Sequence, residues 1–514
     1  MNANLTWWGG CRWTGSSPHP LINIFNFFTF NIMSKEKIKN LDLNYSWFKP
    51  RRYLHFDKPL TKGFNKEQNN VNLNNHFFHL IGLESTIQSK SDISSKVVAH
   101  QFLPFIQFET KTPRLQRLND CRAVKKLPPK IRNISYASHK DSFIYSYYAY
   151  ILGKKYEDRL IREELQNNIL AFRKIRLDGD SSIGKSNIHF AKDAFDLIKQ
   201  QESCFCLCLD IKKFFDNLNH DVLKDAWLNV LDIYSGKLPA DHYAIYKSLS
   251  RYSYVKLDDA LHALNISRTM LRRRKQKRAG RYVNEPLISL CKHATEFRNR
   301  ISNANLIRVN YHKGIPQGSP LSGLLANIYM LEFDIASKRY LENFNAMYFR
   351  YCDDILIIIP GDNVQLLKDI QNYISQLVKS QKLQIQESKT EIVFFKKIDN
   401  HIKIVMPMLE KDNIMGMSIS KKGYLQYLGM IFDGERAIIR PGSISRFYKK
   451  LHKAKKLAIK SKDKNRDDIL YKHKLYSRYS HLGHRNFVSY VKRASQHFED
   501  HRIKRQVRNH FKKI

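Results

Sequence analysis

The chain has 514 residues and a formal net charge of +41, with a sequence pI near 9.8. A hydrophobic share of 43% supports real cores, which excludes a wholly disordered polypeptide and leaves room for roughly two to four domains. So large a cationic excess is out of keeping with an ordinary cytosolic enzyme and fits a partner that is itself a polyanion, with nucleic acid as the default.

Near the start, LINIFNFFTFNIM (21–33) is too short to cross a bilayer. The segment before it carries one Arg and no small-residue cleavage site, so neither a membrane anchor nor a secretory signal is expected. Met33-Ser34-Lys35 reads as a conventional polar start, and residues 1–33 are expected to be a dispensable or disordered leader. Residues 34–110 mix aromatic and basic side chains, as in YSWFKPRRYLHFDKPL (45–60), and form an N-terminal extension with no readable role.

From about residue 130 helical periodicity sets in, and YEDRLIREELQNNILAFRKIR (156–176) predicts a long helix followed by a basic strand. The apolar run CFCLCLD (204–210) predicts a buried strand ending at Asp210. Its alternating Cys204, Cys206 and Cys208 match no zinc-ligand spacing and read as reduced core residues, which implies a cytoplasmic home. Residues 220–310 predict a mainly helical insertion carrying the basic run RTMLRRRKQKR (268–278). Any single basic run is more often a solvated helix face than a binding site, but that reading explains the whole-chain excess poorly.

AMYFRYCDDILIII (346–359) predicts a tight hairpin between two buried strands, with Asp353 and Asp354 at its tip. Adjacent carboxylates in so apolar a setting cost several kcal/mol each unless their charge is compensated. A bound divalent cation is the natural compensator, and Asp210 beside them would complete a site for two ions about 3.5–4 Å apart. Beyond Arg440, ISRFYKKLHKAKKLAIK (444–460) opens a set of basic amphipathic helices.

LCLDIKKFFDNL (207–218), GIPQGSPLSGLLANIYM (314–330), FRYCDDILI (349–357), LQIQESKTEIV (383–393) and YLGMIF (427–432) resemble, in order, five motifs of the reverse transcriptase family. The resemblance implies an α+β right-hand polymerase: fingers and palm over 111–440, built on an antiparallel sheet with helices, and a basic helical thumb over 441–514. It implies an RNA-directed DNA polymerase with an RNA template, a DNA product and dNTPs as substrates. Two Mg²⁺ ions, or Mn²⁺ in their place, would be held by Asp210, Asp353, Asp354 and the Ile211 carbonyl. Phe215 stands where the family places a ring that rejects the ribose 2′-hydroxyl. Gln317 and Gly318 stand near the templating base and nucleotide, and Arg132, Arg173 and Lys174 are candidates to grip the triphosphate. Lys389 is a candidate proton donor to pyrophosphate, and Tyr427, Leu428 and Gly429 a primer grip.

Within the family, YLGMIFDGERAIIRPGSISRFYKK (427–450) is more similar to bacterial stand-alone enzymes of the abortive-infection and antiviral defence groups, with retron enzymes as the runner-up. Retron enzymes commonly carry Ala where Cys352 stands. The defence resemblance implies a non-coding RNA and a defence protein as further partners, and no membrane is expected.

Two readings of other classes remain. Gly179-Asp180-Ser181-Ser182-Ile183-Gly184-Lys185-Ser186 is a full match to the phosphate-binding loop of NTPases, with Asp210 as a magnesium partner. Against it, AFRKIRLD (171–178) is too charged for the buried parallel strand such a loop must follow. The other is a polymerase-shaped nucleic-acid-binding protein without catalysis.

Overall fold

The computed structural model describes residues 47–51, 53–60, 91–117, 124–177, 183–268, 270–272, 277–278, 281–282, 287–405, 423–462 and 468–512. The expected leader, 1–33, lies outside the described residues, as do most of the RRRKQKR cluster and residues 178–182 of the phosphate-loop match.

Helix α1 (Ser91–Ala99) precedes a long hairpin of β1 (Phe105–Arg117) and β2 (Val124–Tyr136), paired antiparallel. The register shifts between Thr112 and Arg114, where Pro113 faces Pro128 and Pro129. Proline donates no ladder hydrogen bond, so a bulge is where a strand tolerates it. Helix α2 (His139–Arg162) follows, with the Ser138 hydroxyl accepting from the Asp141 amide at its N-terminus.

Next come α3 (Asn187–Lys199), β3 (Ser203–Asp210), the short α4 (Phe214–Asn217), α5 (His220–Val230), α6 (Ala240–Ser250), β4 (Ser253–Lys256) and α7 (Leu257–Ala263). The two-residue strands β5 (Lys277–Arg278) and β6 (Arg281–Tyr282), α8 (Ala294–Phe297) and β7 (Arg308–Val309) complete this stretch. β4 pairs parallel to β1 and antiparallel to β7, giving a sheet in the order β2-β1-β4-β7.

Within the stretch expected to be a mainly helical insertion, 220–310, the helices are joined by two strands that extend the sheet β1 and β2 begin. The expected boundary at residue 110 falls inside β1. Of the long helix and basic strand expected over 156–176, the helix forms and ends at Arg162, Glu164 turns left-handed (φ 52°), and in place of the strand Ile169 and Arg176 make isolated bridges. Local periodicity cannot see the pairing of β4 with β1, which joins residues more than a hundred positions apart.

The chain continues through α9 (Ser322–Tyr329), α10 (Leu331–Glu342), β8 (Met347–Tyr351), β9 (Asp354–Pro360), α11 (Val364–Ser380), β10 (Glu391–Ile398) and β11 (His401–Ile404). These strands and β3 form the central sheet, order β11-β10-β3-β9-β8, antiparallel throughout. Both of its faces are covered. Phe205, Leu207, Leu209, Ile355, Ile357 and Ile359 pack on the α2, α5, α9 and α11 side. Cys204, Cys206, Leu356 and Ile358 pack with α3, β12 (Leu425–Tyr427), β13 (Met430–Phe432) and β14 (Ala437–Ile439). Two-sided burial is why β3 and β9 read as unbroken apolar runs, at roughly 1.5–3 kcal/mol per fully buried large side chain. The cysteines among them are free thiols, as expected.

After β14 come α12 (Pro441–Lys462), α13 (Asp468–Tyr479), α14 (Phe487–His497) and α15 (His501–Arg505). The described part of the extension is no loose appendage. The Asp57 carboxylate accepts from the His139 and Lys140 amides at the start of α2 (3.0 Å each), and the Tyr53 hydroxyl donates to the Ala137 carbonyl (2.8 Å). Among the described residues, no helix is long and apolar enough to cross a membrane.

Candidate active site

The three nominated aspartates meet at one end of the central sheet. In the β3–β9 ladder Asp210 stands opposite Asp354, and the Ile211 amide donates to the Asp353 carbonyl (3.0 Å). β8 and β9 close through the pair Tyr351–Asp354, leaving Cys352 and Asp353 as a two-residue turn. Cys352 takes the left-handed φ of 62° there, a conformation a non-glycine residue keeps only when its surroundings enforce it.

The enforcement is buried beneath the turn. Arg350 is fully enclosed and donates through Nε and Nη2 to the two oxygens of Asp334 on α10 (2.7 and 2.6 Å). Its Nη1 donates to the Asn327 side-chain oxygen and to the Cys352 carbonyl (3.2 Å each), and the Tyr348 hydroxyl donates to Asp334 (2.6 Å). Sequence reading missed this network, whose members come from α9, α10 and β8. The one available signal was an arginine in the middle of an apolar strand.

Burial and neighbouring carboxylates raise the proton affinity of Asp353 and Asp354. Burial first, then the Asp210 charge, raises Asp353 above the usual carboxylate range; burial, Asp353 and Asp210 push Asp354 up to about 7. Lys389 forms an ion pair with Asp210. On β2, Arg132 and Lys130 occupy alternate positions and so share a face, within electrostatic reach of Asp210 and Asp353. Partial burial lowers the proton affinity of both cations, and the carboxylates oppose that shift. Arg132 was expected; Lys130 was missed, although strand alternation from Arg132 points to it. Among the described residues no group of three or more His, Cys, Asp or Glu side chains is arranged as a ready metal site. The donor chemistry nonetheless suits hard divalent cations: crowded carboxylate oxygens whose mutual repulsion calls for positive charge.

Phe215 is half-buried just beyond Asp210, where Lys213 turns the chain left-handed (φ 46°) into α4. The loop over 314–318 wraps it. Ile315 donates its amide to the Phe215 carbonyl (3.0 Å), and Gly314 to that of Leu218 (2.7 Å). Farther along, the Ser135 amide of β2 donates to the Gln317 carbonyl (2.9 Å). Gly318 has φ 133°, and a Cβ there would fall 2.5 Å from the Ser135 carbonyl oxygen, so this junction between loop and strand requires glycine.

Arg173 needs correction as a ligand-gripping residue. Its side chain is 4% exposed and donates to both oxygens of Glu157 (2.9 and 2.7 Å) and to the carbonyls of Gln166 and Ile169 (2.7 and 2.5 Å). It clamps the segment after α2 instead. Lys174 is exposed beside it. Tyr427 is buried, with Asp354 among the charges that add to burial in raising its phenol. The turn it opens is made by Leu428 (φ 43°) and Gly429 (φ 88°), both left-handed as a tight two-residue hairpin demands, and these two are the accessible part of the expected grip.

Around the described part of the phosphate-loop match, 183–186, the pairing is antiparallel. Leu177 donates to Ile183 and Lys185 to Ile175, so the chain folds back on itself as a small antiparallel hairpin before α3. Lys185 pairs with Asp193, and β3, the strand after the match, lies between antiparallel neighbours rather than in the parallel sheet an NTPase uses.

Residues 256–432 match the family model for reverse transcriptase (RNA-dependent DNA polymerase). No curated protein matches the chain. Among solved structures, it is similar to apo telomerase from Candida tropicalis truncated from its C-terminal domain, at 11% identity and a TM-score of 0.36, covering 74% of this chain and 63% of that one. It is also similar to telomerase from Candida albicans in complex with a fragment of telomeric RNA, at 11% identity and a TM-score of 0.34, covering 68% of this chain and 48% of that one. The chain thus spans less than two thirds of either telomerase chain.

Proposed function

We propose that this protein is an RNA-directed DNA polymerase that joins dNTPs to a primer 3′-hydroxyl at Asp210, Asp353 and Asp354. The observation that carries the reading is the strand register that sets Asp210 opposite Asp354 and hydrogen-bonds Ile211 to Asp353. The match to the reverse transcriptase family over 256–432 supports it. Asp210, Asp353, Asp354 and the Ile211 carbonyl would hold Mg²⁺ or Mn²⁺, and ions bound there supply charge to the attacking hydroxyl and the departing pyrophosphate.

The remaining work belongs to the chain. Lys130 and Arg132 present cations from β2 toward the triphosphate, supplementing the nearby Lys389. Phe215 limits the space beside the sugar, and the loop carrying Gln317 and Gly318 is pinned to β2 where the templating base would lie. The turn at Leu428 and Gly429 would meet the primer end. Primer extension on an RNA template with labelled dNTPs tests the reading: incorporation lost on chelation and in Asp353→Asn is expected, and incorporation indifferent to both defeats it.

For the cellular role we favour bacterial antiviral defence, on the resemblance of 427–450 to stand-alone defence enzymes, with a non-coding RNA template and a defence protein as partners. Phage plating on cells carrying wild type or the three-aspartate variant decides it: protection that survives loss of all three carboxylates removes the polymerase from defence.

A further inference from the structure

Phe172 is an anomaly. Its backbone is left-handed (φ 58°), a region that a bulky aromatic residue rarely enters, and the residue remains 45% exposed. A large apolar side chain on a strained backbone, left in contact with water, gives little back to the fold. Such outliers persist where the surroundings impose them, and they concentrate at functional sites.

Here the imposition is visible on both sides. The carbonyl of Ala171 accepts from the Asn327 side-chain nitrogen (2.8 Å), and Asn327 in turn meets Arg350 beneath the aspartate turn. On the other side, Arg173 is locked to Glu157 and two carbonyls. Between these clamps the Phe172 ring lies on Gly323 of α9, where any Cβ would come within 2.7 Å of its Cδ1. Its other contact is Phe215, at 6.3 Å between centroids with the planes at 80°, an edge-to-face pose.

We propose that Phe172 is a positioning residue for nucleotide sugar selection: held over Gly323, its ring fixes the pose of Phe215 and forms the second wall of the sugar pocket. This rests on the polymerase reading above. A Phe215 ring without that edge beside it could swing aside and admit a ribose 2′-hydroxyl, so the occupant selected is a deoxynucleotide.

Single-nucleotide primer extension gives the ratio of kcat/KM for a dNTP over its ribonucleotide. Phe172→Ala and Phe172→Leu are expected to lower that ratio by roughly tenfold or more, while Phe172→Tyr keeps it. Gly323→Ala, which displaces the ring, lowers it as well. The Phe172→Ala/Phe215→Ala double variant is expected to discriminate no worse than Phe215→Ala alone, since the two rings act as one unit. Phe172→Gly separates this role from support of the fold: the strain is relieved, so melting temperature holds or rises while discrimination falls. A wild-type ratio in Phe172→Ala and Phe172→Leu, or losses that multiply with Phe215→Ala, overturns the proposal and leaves the polymerase reading intact. A wild-type protein that incorporates no dNTP overturns both.

Discussion

Arg350 and Asp334 form a two-point ion pair with no solvent exposure on either side chain, and the remaining edge of the guanidinium reaches the carbonyl of Cys352 in the aspartate turn. Replacing Arg350 by Met leaves a buried, uncompensated carboxylate, which is expected to cost about 3–5 kcal/mol in denaturant unfolding. Arg350→Met/Asp334→Leu should recover much of that stability, because a matched apolar pair is no worse than the ion pair. Polymerisation should stay low in the double variant, since nothing then holds the Cys352 carbonyl. Recovery of activity together with stability would reduce the pair to a packing element.

Asp210→Asn and Asp353→Asn keep size and remove charge, and each is expected to lower dNTP incorporation by at least about a hundredfold. Asp354→Asn should be milder. In chelator-treated protein the same Asp354→Asn change should raise the melting temperature at pH 8, because it removes a charge that burial and then the Asp353 and Asp210 carboxylates disfavour, pushing Asp354 up to about 7. Primer extension checks the incorporation losses, and scanning calorimetry of the chelator-treated protein checks the rise.

Phe215→Val is expected to raise ribonucleotide use without a matching loss of dNTP turnover, read from competing incorporation of dNTP and NTP on one template. Unchanged sugar preference would return Phe215 to the core.

His55 is fully buried, and burial holds its imidazole well below the ordinary value of 6.5; burial also lowers His139, with the neighbouring Asp57 opposing that shift. The unfolded chain therefore takes up protons first as pH falls through 6.5. Stability contributed by the neutral rings is complete above that pH and lost below it, by up to about 1.4 kcal/mol per pH unit for each ring that stays neutral. Melting temperature should fall less between pH 7.5 and 5.5 in His55→Phe than in wild type, a comparison in which the opposing gain from protonating Asp353 and Asp354 cancels.

Lys185→Ala should leave dNTP incorporation largely intact, as expected of a lysine paired with Asp193 on the surface. Loss of a nucleotide hydrolysis activity in that variant would revive the phosphate-loop reading.

The aspartate site was legible because its signals are short and local: an apolar run ended by Asp210, and two carboxylates at the tip of a hairpin pattern. Arg173 was misread for the same reason. Next to a basic run it resembles a surface guanidinium, and only the fold of α2 brings Glu157 and two carbonyls around it. Phe172 carried no signal, since a strained φ and a missing Cβ at Gly323 exist only in three dimensions.

By itself, then, the amino-acid order determined that β3, β8 and β9 are buried strands, where charge accumulates and where the acidic residues sit among apolar ones. These follow from alternation and from the cost of placing charge in apolar surroundings, both read over a few neighbouring positions. Tertiary structure alone decided that β4 and β7 join β1, that Arg350 is spent on Asp334, and that two phenylalanines meet edge to face. Those outcomes depend on hydrogen bonds and contacts between distant segments, whose partners become neighbours only once the chain has folded.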